Sequence, residues 1–579
     1  LLPELNLVRV ARDLAPGNHT LHVVTDRGSD RWALAGFAVS DGNLAEPYDR
    51  QITIALVTAA VGALAAVISG AAVDWRRLFR PLSGAWNRLS DTAQIAVSAV
   101  TSLALLAGML LTWGDATPNL FRREPVQLGL AIASAGLLYL EPGLVLTVLA
   151  ALVLLILFYH RPDIGLALVL FWTPFFLFPV ELFVFFFPIA ELLMLILAAA
   201  WVLRLLVALG RQRQAFVAEF ALPGLRAVVR RITALDVGVA AWLALGVVSL
   251  LWTERRETAI PELRALIVEP VLFYAVLRTA SLDRRALLRL VDALLLAGLV
   301  VAVVGLWMYV RGESIITAEE GARRLASVYG SPNNVGLFLG RCLPFALAFT
   351  LIRTDAPRRI FGFISLGILL VAAALSQSAG ALFLGIPAAI IVVAVLAFDR
   401  RALVPLILFV ITGMAAFTLA TRSARFARVL DFSEGTNFYR VRVWQSAWAI
   451  IRERPLTGLG LDQFLYAFRG EYILPDAWQE PNLSHPHNFL LDFWVRLGIF
   501  GVLVFAWLQV AFWRAMTRVY RAARRRDALV FALTVGAMGS MANLLAHGLV
   551  DNSVFVHDLA YVFVLLLGLA AELSATEPG

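Results

Sequence analysis

The sequence predicts an all-α polytopic membrane protein with a small β-rich extramembrane segment at its N-terminus. Three observations predict it. The 579 residues are 60% hydrophobic and 16% charged, with a mean hydropathy of +0.79, whereas an ordinary soluble domain is about 25% charged. Apolar runs of about 17 to 25 residues recur along nearly the whole chain, each long enough for a helix to cross roughly 30 Å of hydrocarbon. The basic residues, all arginine, gather in short loops between those runs, as the positive-inside bias of membrane helices requires.

Residues 1–50 stand apart. His19–Thr25 and Trp32–Ser40 are β-prone, and Asp26-Arg27-Gly28-Ser29-Asp30 between them reads as a turn. This β-rich extracytoplasmic segment reads as the end of a larger domain, since the chain starts at Leu1 without Met or a signal-peptide pattern. A cap without a ligand and a sugar-binding module both remain open for it.

Apolar spans follow at 52–73, 93–113, 188–209, 234–252, 263–278, 286–310, 333–352, 360–375, 381–398, 402–420, 488–516, 528–550 and 556–573. Three shorter runs between 126 and 187 are broken by Glu141-Pro142, Arg161-Pro162 and Thr173-Pro174, and strict alternation requires an even number of crossings there. The sum is a bundle of about 15 transmembrane helices. Residues 51–160 supply extra N-terminal helices ahead of a main transmembrane domain, 161–573. Arginine clusters at 76–88, 204–231, 284–289, 353–359, 400–401 and 521–526 fall on one side, which the charge rule makes cytoplasmic. The opposite side carries 1–50, 253–262, 311–332, 421–487 and 546–557.

Composition also excludes chemistries. With no lysine, Schiff-base catalysis is impossible. The single cysteine, Cys342, allows neither an intrachain disulfide nor a cysteine metal cluster. The net charge of +8 and pI near 10.0 would suggest nucleic acid in a soluble protein, but topology accounts for these arginines, and no nucleic-acid partner is expected. Membrane lipids are the expected surroundings.

The outward loop 421–487 is the longest break in the membrane body, and loops of that length carry function or are disordered. An amphipathic stretch from Arg440 to Arg454, ended by Pro455 and Gly458, favours function. At 100° per residue, Trp444, Ala447, Trp448 and Ile451 share a face with Arg440, while Arg442, Gln445 and Glu453 lie opposite. The competing reading is an interfacial helix whose arginines sit among headgroups.

Four of the seven histidines, His485, His487, His547 and His557, lie at outward ends of the last helices. In Ser484-His485-Pro486-His487-Asn488 the proline suits a first helical turn, so His487 is expected at the N-terminus of the next membrane helix. Such a position disfavours imidazolium and favours anions, leaving a neutral base beside a phosphate-binding site. Two other readings stay open: half of a metal site completed by Asp551, Asp558 or His557, and a structural pair bonded to loop carbonyls. Arg323-Arg324-Leu325-Ala326-Ser327-Val328-Tyr329-Gly330-Ser331-Pro332-Asn333-Asn334 offers a second guanidinium source on the same side, unless Arg323 and Arg324 merely balance Glu319 and Glu320. Arginine forks suit phosphate oxygens, so a pyrophosphate-bearing substrate fits. Glu269, Asp292 and Arg341 lie inside spans, where mutual pairing or snorkelling is expected rather than an ion path.

These segments together resemble the O-antigen ligase and O-antigen polymerase superfamily of bacterial membrane glycosyltransferases. The marks are Arg324 to Asn333; Tyr439-Arg440-Val441-Arg442-Val443-Trp444 leading to Arg454-Pro455-Leu456-Thr457-Gly458-Leu459-Gly460; His485-Pro486-His487-Asn488; and the His547 to Asp551 loop. The resemblance covers 161–573 and implies a GT-C type bundle in the bacterial cytoplasmic membrane. It implies transfer of a glycan from undecaprenyl pyrophosphate to a sugar hydroxyl of a glycan or glycolipid acceptor, on the outer face, without a metal ion or other cofactor. Ligase and polymerase remain undivided. By the same resemblance His487 would be the general base, Arg324, Arg440 and Arg442 would bind pyrophosphate, and His485, Asn488, Asn333, His547 and Asp551 would support them. Direct displacement would invert the anomeric centre. One departure is Ser376-Gln377-Ser378-Ala379-Gly380, where relatives often carry Ser-Arg. A transporter or flippase of lipid-linked glycans is the alternative. It would show repeated halves and paired ionisable groups at mid-membrane, and the chain has no evident internal repeat.

Overall fold

The computed structural model describes residues 121–211, 232–420 and 435–575, with gaps at 122, 142, 183–184, 314 and 318–322, and isolated positions between 54 and 97. The expected β-rich segment 1–50 and the spans at 52–73 and 93–113 lie essentially outside the described residues. The unit considered below is the compact body beginning at Asn119.

Its helices are α1 (Glu124–Leu140), α2 (Leu144–His160), α3 (Pro162–Trp172), α4 (Ile189–Arg211), α5 (Ala234–Ser249), α6 (Arg256–Leu263), α7 (Glu269–Thr279), α8 (Arg284–Arg311), α9 (Pro332–Leu351), α10 (Ala356–Ser376), α11 (Ile386–Phe398), α12 (Leu403–Ala420), α13 (Gly435–Glu453), α14 (Phe489–Ala523), α15 (Ala528–Gly548) and α16 (His557–Ala575). Two short antiparallel hairpins interrupt them: β1 (Val180–Leu182) with β2 (Phe185–Phe187), and β3 (Ile315–Thr317) with β4 (Arg323–Leu325). Among the described residues eight helices are long and apolar enough to cross a membrane, with five shorter apolar ones beside them. The protein is a multi-pass, all-α membrane protein.

Helix starts follow local chemistry. Thr233 and Asp236 cap α5 reciprocally, and the carboxylates of Asp283, Asp355 and Asp527 accept from the first backbone amides of α8, α10 and α15, each typically worth about 1 kcal/mol. Among the described residues, arginines of three of the clusters bind carboxylates that join the helices. Arg289 reaches Asp163 and Glu124, Arg284 reaches Asp527, Arg358 holds Asp292, and Arg524 holds Asp399. The 126–187 stretch forms three helices, an odd number where alternation asked for an even one. Glu124 and Asp163 share Arg289, so α1 starts level with α3 and α8.

Helix α16 is buried along almost its whole length; a helix apolar on every side belongs at the centre of a bundle. α14 is two helices in one. Gly498 has φ 66° and ψ −167°, which separates 489–497 from 499–523, and the latter alone spans about 37 Å at the usual rise. The break is filled by the Pro455–Gly460 segment: Leu459 N donates to Val495 O at 2.7 Å, and Ile499 N donates to Pro455 O at 3.0 Å. A Cβ on Gly498 would stand 1.9 Å from Leu456 O, so only glycine fits this crossing.

Candidate active site at the hairpin end of the bundle

The loop expected at 421–487 is folded where it is described. In α13, Val443, Ala447 and Ile450 are fully buried and pack with Leu459, Phe464, Phe468 and Val495. The buried face keeps Ala447 and Ile451 of the expected stripe but is rotated toward Val443 and Ile450, which leaves Trp448 outside it. Trp448 is 44% exposed and meets Trp494 edge-on at 6.0 Å. Helical periodicity located an apolar stripe but could not show that the loop supplies its own second layer, which selects the smaller residues. Gln463 fastens this layer to the 253–258 turn, accepting from Arg255 N at 2.9 Å and donating to Arg255 O at 3.1 Å.

Four sequence-selected residues converge beyond α13. Asn488 caps α14, its Oδ1 accepting from Leu490 N at 3.0 Å and Leu491 N at 3.1 Å. Its Nδ2 donates to Leu549 O at 2.9 Å, which ties the histidine turn to the 549–556 loop. His487 thus precedes the cap and lies outside the helix, with a left-handed φ of 48°, and Pro486 is outside the first turn as well. The membrane-length part of α14 begins only past Gly498. The expected position at a membrane helix's N-terminus is corrected accordingly: Asn488 takes the capping amides that would otherwise have faced an anion.

His487 Nδ1 lies 3.0 Å from Asp551 Oδ1, the same oxygen that accepts from Asn552 N at 2.9 Å. A carboxylate only accepts, so Nδ1 carries the proton and Nε2 keeps the lone pair. His485 Nε2 is 3.8 Å from that oxygen, and the two imidazole centroids are 4.2 Å apart. Burial, then the neighbouring His485, holds the His487 pKa below its ordinary value, against the opposing pull of Asp551. Burial pushes Asp551 up, but His485 and His487 more than reverse this and keep it well below the usual carboxylate range. The pair at rest is a neutral imidazole on an ionised carboxylate.

Arg440 donates to Asn437 Oδ1 at 3.3 Å, while its Nε is buried without a partner. Burial lowers its pKa, and Asp551 pulls it back. Its guanidinium keeps donors for an incoming anion. Arg442, two residues on, also has a buried Nε without a partner, but its terminal nitrogens are occupied: it pairs with Asp476 at 2.5 Å, donates to Gln445 at 3.0 Å and lies over the Phe438 ring.

Arg324 and Asn333 meet, Nη2 donating to Oδ1 at 3.0 Å, and Arg324 Nε donates to Ser376 O at 3.0 Å at the end of α10. Arg323 caps the hairpin differently, over Tyr309; Glu319 and Glu320, its suggested counter-charges, lie outside the described residues. The Ser376–Gly380 segment therefore receives the second arginine. From there Gly380 leads to His547, since a Cβ on Gly380 would lie 2.6 Å from His547 Nε2. His547 is fully buried with neither ring nitrogen bonded, one turn before Asp551. His557 and Asp558 do not join: Asp558 accepts from Tyr329 at 2.5 Å.

Pairing holds for two of the three charged residues inside spans. Asp292 takes Arg358, and Glu269 lies 4.0 Å from Arg264 and accepts from Tyr561. Arg341 neither pairs with an acid nor snorkels. It is fully buried, reaching Asn543 Oδ1 and, at 3.0 Å, Ser553 Oγ. Arg496 lies 4.9 Å from the Phe555 ring centre, and the loop bearing Asp551 is held from beneath by both arginines. A lone intramembrane arginine was the only sequence signal for this support.

The described body is thus a multi-pass helical membrane protein with a histidine–carboxylate pair and a buried arginine gathered at one end. Residues 361–506 match the family described as O-antigen ligase, a stretch that includes Arg440, Arg442, His485, His487 and Asn488. That match supports placing this stretch with the O-antigen ligase and polymerase superfamily. No curated protein matches it.

Proposed function

We infer that the protein transfers a glycan from a polyprenyl pyrophosphate, undecaprenyl pyrophosphate in bacteria, to a sugar hydroxyl at the outer face of the cytoplasmic membrane. The observation that carries this reading is the 3.0 Å contact of His487 Nδ1 with Asp551, within electrostatic reach of Arg440. A sugar hydroxyl is a poor nucleophile. His487 Nε2 takes its proton as the oxygen bonds to the anomeric carbon, and a positioned base contributes about 10²–10⁴ in rate. The bond from that carbon to the pyrophosphate oxygen breaks, and the configuration inverts.

The imidazolium so formed faces Asp551, which stabilises it. The negative charge that grows on the leaving group falls to the free donors of Arg440, with Arg324 on the same end of the bundle, so preorganised cations replace a metal ion. Asp476 already neutralises Arg442, which favours a role in shaping the loop over pyrophosphate binding.

The test is transfer by purified protein with a polyprenyl-pyrophosphate donor. His487→Ala is expected to lose at least about a hundredfold in rate, and chelator is expected to change nothing. Undiminished transfer by His487→Ala would sink the mechanism, and activity lost to chelator and restored by a divalent ion would sink its metal-free form.

A further inference from the structure

His485, His487 and Asp551 each offer one ligand atom, and the three atoms lie within 4.8 Å of one another. Two of the separations are 3.0 Å and 3.8 Å. In a tetrahedral zinc site with bonds near 2.0–2.1 Å, ligand atoms stand about 3.3 Å apart. The trio is thus within about half an ångström to one and a half ångströms of a zinc-binding arrangement, a distance that side-chain rotation covers. Two imidazoles and one carboxylate are ligands zinc accepts, and three protein ligands leave a fourth position open. His485 stands half-buried with Ser484 Oγ at 3.2 Å from its Nδ1, and its Nε2 is the nitrogen turned toward Asp551.

We propose that this trio binds a single Zn²⁺ and that the ion switches the site off. The reason lies in the tautomer. In the metal-free site Nδ1 of His487 holds the proton and Nε2 the lone pair. A metal on Nδ1 displaces that proton, and a neutral ring must then carry its hydrogen on Nε2. The lone pair that would accept the acceptor's proton is gone, and Asp551 is drawn onto the metal. Magnesium, which prefers oxygen ligands and keeps its waters, does not substitute. The site itself stands without the transfer reading; the loss of activity rests on it.

The experiment is titration of the full-length protein in nanodiscs with Co²⁺, a spectroscopic stand-in for Zn²⁺, without donor or acceptor. One equivalent is expected to give a saturable visible absorption that Zn²⁺ bleaches and Mg²⁺ does not. His485→Gln and Asp551→Asn are expected to weaken binding by about tenfold or more, whereas His485→Cys, which keeps a ligand, retains it. No saturable binding, or affinity unchanged in both ligand-removing variants, overturns the site. In a preparation active without metal, Zn²⁺ is expected to stop transfer at the concentration that fills the site; filling without inhibition overturns the switch. A preparation inactive under every condition would count against the transferase reading, while the spectra would still decide the site.

Discussion

Asp551→Asn tests the heart of the site with little change of shape. The carboxylate oxygen accepts from His487 and from Asn552 N, at 3.0 Å and 2.9 Å, and an amide oxygen can still accept both. What is lost is charge opposite the imidazolium formed during transfer. A hydrogen bond to a charged group is worth about 1.5–3 kcal/mol, so the rate is expected to fall about 10- to 150-fold at about 1.4 kcal/mol per tenfold. The pH profile provides the sharper reading. His487 must be neutral to act, so kcat/KM falls as pH drops through its pKa. Asp551 raises that pKa while burial and His485 lower it; removing the carboxylate moves the acid limb to lower pH. The assay is initial-rate transfer across about pH 4 to 8, with chain folding checked by thermal melting. A limb that stays in place or moves to higher pH would refute the pairing as described.

Three further outcomes are expected. On the proposed mechanism Arg440→Gln should raise the KM for the pyrophosphate donor more than that for the acceptor, since its buried Nε has no protein partner; steady-state kinetics with each substrate varied would show the reverse if the arginine serves the acceptor. Gly498→Ala should lower thermal stability by about 1–3 kcal/mol or prevent folding, because its φ of 66° and the Leu456 carbonyl leave no room for a methyl; a melting temperature unchanged from the parent would contradict the clasp. Arg341→Met should lower kcat with donor KM nearly unchanged and expose the 549–556 loop to protease, since Ser553 loses its anchor; an unaltered digestion pattern would leave Arg341 without this role.

Much of the bundle was legible because lipid permits few solutions. Apolar length locates helices to within a few residues: the span expected at 528–550 is α15 (Ala528–Gly548), and that at 360–375 is α10 (Ala356–Ser376). The candidate site was legible as a set of residue types: His487, Asp551, Arg440, Arg324 and Asn333 all lie near the hairpin end. Their division of labour was not. Arg442 and Arg440 are two residues apart and alike in sequence, yet Arg442 pairs with the carboxylate of Asp476 while Arg440 meets only the amide of Asn437, because α13 turns them to different surroundings. The expected face of α13 held at Ala447 and Ile451 but not at Trp448, for the same reason.

By itself the sequence determined a multi-pass helical membrane protein and the residue types gathered at the candidate site, because hydrocarbon thickness and charge bias act on composition and order alone. Only the tertiary structure decided that His487 lies before a cap rather than in a helix, that Asp551 sets its tautomer, and that Arg341 supports the loop from within the membrane. Those outcomes depend on contacts between residues up to 212 positions apart, and a hydrogen bond's partner over such a distance is chosen by packing, which no local pattern records.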